Sequence, residues 1–102
     1  MRIDFTRTGG FAGIRLTTSV DTQKLAPDQE SSITKLVSDA AFFELPERIL
    51  PDAPGPDRFE YRLTIAESKQ THSVLVHDAS APESLRPLLN YLTTLAMVSK
   101  KR

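Results

Sequence analysis

The chain has 102 residues, 39% of them hydrophobic and 25% charged, with 13 basic residues balanced by 13 acidic ones. This is the composition of one globular domain with a single modest core, neither disordered nor membrane-like. A net charge of +0 argues against a dedicated nucleic-acid binder, and the lack of cysteine removes disulfides, thiolate zinc sites and cysteine nucleophiles.

Residues 2–7 alternate, with Ile3 and Phe5 on one face and Asp4 and Thr6 on the other. Residues 12–20 alternate again, placing Ile14, Leu16 and Val20 inward and Arg15 and Thr17 outward. Between these strands runs Arg7-Thr8-Gly9-Gly10-Phe11-Ala12-Gly13-Ile14, with three glycines and a Phe in five residues. Ahead of a helix such a run would suggest a phosphate cradle. Ahead of a strand it shapes a hairpin tip at Gly9-Gly10 and holds Phe11 out on it. Phe11 then either folds back over the sheet edge or fills a pocket on a partner.

A polar turn at Asp21–Lys24 precedes a helix opened by Pro27, with Asp28 and Glu30 suiting its N-terminus. Ile33, Leu36, Val37, Ala40 and Ala41 form its apolar stripe. Phe42, Phe43 and Leu45 extend the apolar run to Pro46, and at least one Phe belongs to the core. Residues 46–56 hold four prolines and a glycine, which exclude a stable helix or central strand apart from a turn around Glu47–Leu50. The prolines stiffen this loop before it meets anything. Neither flank is long enough to be an independent domain, so residues 1–102 read as one domain.

The third strand, residues 57–68, sets Phe59, Tyr61, Leu63 and Ile65 against Arg58, Glu60, Arg62 and Thr64. The fourth, residues 71–78, turns Val74 and Val76 inward. Ser80-Ala81-Pro82-Glu83 has capping-box spacing ahead of a last helix striped by Leu85, Leu88, Leu89, Leu92, Leu95 and Ala96. Pro87 belongs in its first turn, because an interior proline costs about 3 kcal/mol. Cations at Lys100-Lys101-Arg102 suit the end of that helix. The expected fold is α+β: a four-stranded, mostly antiparallel sheet in the order ββαββα, with two main helices packed on one face. Strand order stays open. If the first helix crosses the full sheet length, the tip at 8–12, the loop at 46–58 and the connection at 77–84 share one end, where binding residues gather.

Catalytic chemistry finds little support. His72 and His77 lie five apart on one strand and face opposite ways, so they cannot share a metal. His77, Asp78 and Ser80 point apart, and neither His-Glu-x-x-His nor Gly-x-Ser-x-Gly occurs. Asp52 and Asp57 read either as turn formers before a strand or as a carboxylate pair. We expect no enzyme activity, no cofactor and no metal. No run approaches the ~18–20 apolar residues of a membrane span, and no signal-peptide pattern opens the chain, so a cytoplasmic location is expected. A small hydrolase and a protein-binding adaptor domain are both classes that the pattern admits. The chain is expected to be a monomer, although open strand edges permit strand-addition dimers.

The ordered set of Arg7–Ile14, Ala40-Ala41-Phe42-Phe43-Glu44-Leu45-Pro46, Pro56-Asp57-Arg58-Phe59-Glu60-Tyr61 and a Leu-rich final helix resembles the emfourin family. These small bacterial proteins inhibit protealysin, a thermolysin-like zinc metallopeptidase. The resemblance implies a proteinaceous inhibitor that occupies the cleft of such an enzyme without being cut and released. The residues offer suitable parts: a tip of Gly9, Gly10 and Phe11, and a stiff loop with Leu45, Ile49, Leu50, Asp52 and Asp57. In this reading Phe11 or a loop leucine enters the enzyme's apolar pocket, and Asp52 or Asp57 approaches its metal.

Overall fold

The computed structural model describes residues 1–9, 15–50 and 59–100, with residues 99 and 100 described by backbone alone. Its elements are β1 (Arg2–Gly9), β2 (Leu16–Asp21), α1 (Pro27–Asp39), β3 (Arg48–Ile49), β4 (Phe59–Glu67), β5 (Gln70–His77) and α2 (Arg86–Lys100). The strands form one five-stranded sheet in the order β2-β1-β4-β5-β3. Neighbours are antiparallel except β3, which lies parallel to β5.

The sheet is therefore mixed and one strand wider than the sequence pattern indicates. The extra strand is two residues long, so it carries no readable alternation. It sits at a sheet edge, the position where nearby prolines are tolerated because no ladder hydrogen bond is required on the outer side. The Leu75 N–H donates to the Glu47 carbonyl at 2.8 Å, and Ile49 stands beside Val76.

Alternation decides the two faces. Ile3, Phe5, Leu16, Val20, Tyr61, Leu63, Ile65, Val74 and Val76 are buried on one side of the sheet. Against them pack Ile33 and Val37 of α1 and Leu88, Leu89, Leu92 and Ala96 of α2, in one continuous core. Each fully buried aliphatic side chain of this kind contributes about 1.5–3 kcal/mol. Both helices thus cover one face, as the periodicity predicts. Pro87 lies in the first turn of α2, where its missing N–H breaks no intrahelical bond.

Phe42 is buried at 1% exposure, while Phe43 packs partly against the core and meets the Phe42 ring edge-on at 5.6 Å. Ala41 departs from the expected stripe. It is exposed and left-handed, with φ 48° and ψ 48°, and so turns the chain out of α1.

One end of the sheet, here the upper rim, is where β1 ends, β4 begins and β5 ends. Gly9 pairs there with Phe59, and Glu60 with His77. At the lower end, the Thr22 N–H donates to the Met1 carbonyl at 2.9 Å and leads the chain into α1. α1 does not climb to the rim. Its last turn, with Ala41 and Phe42, shares a hollow with Met1 and Glu67 at that same lower end. The ascent is made instead by residues 45–50 running along β5. The expected helix crossing is thus replaced by a strand, with the same destination.

Candidate functional site

The upper rim gathers side chains from four strands. Gly9 closes β1 with φ 90°, a value that glycine reaches without the strain a Cβ would bring. It is a strand residue paired with Phe59, not the turn itself, because β1 outlasts its ladder with β2, which ends at Arg7 and Leu16. Residues 10–14 and 51–58 lie outside the described residues, and with them the predicted Gly10, Phe11, Asp52 and Asp57. The chain enters and leaves the second of these segments at Leu50 and Phe59. The register of β3 and β4 puts both at the rim.

Leu50 is 46% exposed, one of three large hydrophobic side chains among the described residues that face solvent to this degree. Ile49, by contrast, is half-buried and turned against the core. Leu45 is not brought to the rim. It packs partly on the core near the lower end, where its carbonyl accepts a 2.7 Å hydrogen bond from His72 Nε2. A carbonyl can only accept, so the proton of that ring sits on Nε2. The Phe42 ring lies edge-on to the same imidazole at 5.5 Å.

Several rim residues were not marked by the sequence pattern. Arg7 lays its guanidinium over the Phe59 ring, 4.1 Å from the centroid. Phe59 in turn leans on Tyr61 at 6.5 Å, and Tyr61 on Phe5 at 6.0 Å. Burial, and behind it the charge of Asp78, push the Tyr61 phenol above its ordinary value, with Arg7 partly offsetting them. Arg7 Nε is buried and has no hydrogen-bond partner among the described residues.

On the other face of the sheet, His77 Nε2 donates to Glu60 Oε2 at 3.1 Å. The two histidines therefore serve separate hydrogen bonds on opposite faces, as their spacing implies. No group of three or more His, Asp or Glu among the described residues could hold a metal.

Ser80 has a different role from the expected helix cap. Its hydroxyl is placed to donate to the Ile49 carbonyl at 2.6 Å, with the His77 carbonyl at 3.2 Å. It thereby staples β3 to the turn after β5. Arg86 closes the same corner by donating to the Asp78 carbonyl at 3.0 Å, with the Asp78 carboxylate 3.7 Å away. The rim is a cross-braced scaffold under two chain segments, and the only large apolar group it leaves open among the described residues is Leu50. Such an arrangement suits binding. Among the described residues it presents no nucleophile hydrogen-bonded to a base.

No helix among the described residues is long and apolar enough to cross a membrane. No curated protein matches the chain. A solved structure, emfourin from Serratia proteamaculans, an M4 family peptidase inhibitor, is similar at 26% identity with a TM-score of 0.48, over 85% of this chain and 83% of that one. The emfourin family model matches residues 5–93. That match runs from within β1 to the middle of α2, so the chain belongs to the emfourin family.

Proposed function

We infer that this protein inhibits a thermolysin-like M4 zinc metallopeptidase, such as a protealysin, in the cytoplasm by docking its upper rim into the active-site cleft. The observation that carries the reading is family membership over residues 5–93. The rim supports it physically. Gly9, Leu50 and Phe59 root the segments 10–14 and 51–58 at one edge of a braced sheet, and the prolines in the second reduce the entropy lost on docking. Leu50 and Phe11 are the apolar anchors, and the backbone around them covers the enzyme's metal. Asp52 and Asp57 belong to the proline-rich segment between Leu50 and Phe59 and are the carboxylates assigned in this reading to approach that metal. Prolines beside a potential scissile bond hinder its cleavage, and an inhibitor needs that resistance.

The test is to titrate a thermolysin-like peptidase with the purified protein and follow peptide hydrolysis. Saturable, stoichiometric loss of rate is expected, and unchanged rates at micromolar protein reject the reading. Phe11→Ala and Leu50→Ala should each weaken inhibition roughly 30-fold, the loss of about 2 kcal/mol typical of an anchor residue, with melting temperature unaltered. A large fall in melting temperature for Phe11→Ala would place that ring in the core instead.

A further inference from the structure

The sheet face opposite the helices carries its own pattern. Arg15 stands just before β2, Arg62 on β4 and Arg48 on β3, which are the first, third and fifth strands across the sheet. All three are exposed, and none has an ion-pair partner within 4.0 Å among the described residues. Arg62 and Arg48 flank Leu75 at one register level, shared with Thr17 of β2, and Arg15 lies two residues nearer the rim. Alternate strands lie about 10 Å apart, so the three guanidinium groups form an oblique row across the upper half of this face. Arg15 and Arg62 line a hollow of ≈ 190 Å³ with Thr6, Thr8 and Glu60. Arg62 and Arg48 line a second, of ≈ 570 Å³, that also borders Glu47 and Ser73.

Two carboxylates share this region, and their placement matters. Glu60 accepts from His77 and lines the hollow between Arg15 and Arg62, and Glu47 stands at the edge of the other, so the two carboxylates offset part of the charge of the three arginines. In the lower half the charges are answered locally: Asp4 accepts from Ser19 at 2.6 Å and faces Arg2 at 3.5 Å. Three arginines against two carboxylates leave the upper half of this face with a net positive balance next to the docking rim.

We propose that the Arg15–Arg62–Arg48 row is a second contact surface, complementary to an acidic strip of the partner peptidase beside its cleft. The inference rests on the inhibitor reading above and names the chemistry of the partner surface. A phosphate polyanion is a poor fit, because the chain has a net charge of +0 and Glu47 and Glu60 stand among the three arginines. Spaced carboxylates on a protein match it better. Exposed charges of this kind mainly guide encounter, so the row governs the association rate more than the lifetime of the complex.

The experiment compares the natural chain with a triple variant, Arg15→Gln, Arg48→Gln and Arg62→Gln, for association with a thermolysin-like peptidase across a salt series. The expected result is about a ten-fold slower association at low salt, a flattened salt dependence, and unchanged dissociation rate and melting temperature. Inhibition by the natural chain with no change in the variant overturns the row and leaves the inhibitor reading standing. Failure of the natural chain to inhibit overturns both. Light scattering that shows a dimer of the natural chain, lost in the variant, assigns the row to a second copy and also overturns the proposal.

Discussion

At the scale of single residues, Ala41 carries the clearest strain. A left-handed residue with a Cβ costs roughly 1–2 kcal/mol, and glycine escapes that cost while giving back about 0.4–1 kcal/mol through the freer unfolded chain. Ala41→Gly should therefore raise stability by about 0.5–1 kcal/mol in denaturant melts, and a loss of stability would refute this. Asp4 offers a pH test. The Ser19 hydroxyl, donating at 2.6 Å, is the main cause holding its carboxyl below the ordinary 3.8, with burial opposing and Arg2 assisting. A depressed folded pKa gives stability that is present above the unfolded value and lost as pH falls through the folded one. Ser19→Ala should accordingly lower the melting temperature slightly at neutral pH, and the gap should narrow as pH falls below the ordinary 3.8. A gap that stays constant with pH would show that Ser19 acts through packing alone.

Among the elements, β3 is the one on which the rim depends, because it delivers Leu50. Its two residues are held by the Glu47 carbonyl on one side and by Ser80 on the other. Ser80→Ala should cost about 1 kcal/mol and speed hydrogen exchange of the Leu75 amide, whose acceptor is Glu47. Unchanged exchange at Leu75 would mean that β3 is held without the staple. The four longer strands and both helices were legible because each repeats its apolar residues at period 2 or 3.6 over six or more residues. β3 was hidden because two residues between prolines have no period. Ser80 was misread because Ser-x-x-Glu is a helix signal only where the helix starts at once, and here α2 begins at Arg86. The Arg7–Phe59 stack and the Glu60–His77 pair join residues far apart in the chain, so only the register of β1, β4 and β5 could reveal them.

Across the whole molecule, the sequence gathered the roots of these connections at one end of the sheet by an incorrect route. It assigned the climb to α1, whereas the chain rises along β5 through residues 45–50. Leu45 was grouped with the rim for that reason and lies instead toward the lower end beside His72. What remains at the rim is a set of short braces, each modest in energy, that fix the roots of two segments against a buried core. Helices on one face leave the other free, and the unpaired arginines lie there, on the half nearest the rim.

The most direct measurement is a hydrogen-exchange footprint of this chain bound to a thermolysin-like peptidase. Slowed exchange is expected at Gly9, Leu50, Phe59 and their flanking segments, with residues 41–45 and 67–70 unchanged. Protection centred on the lower end, around Phe43 and Glu67, or absent from the chain altogether, would contradict the account.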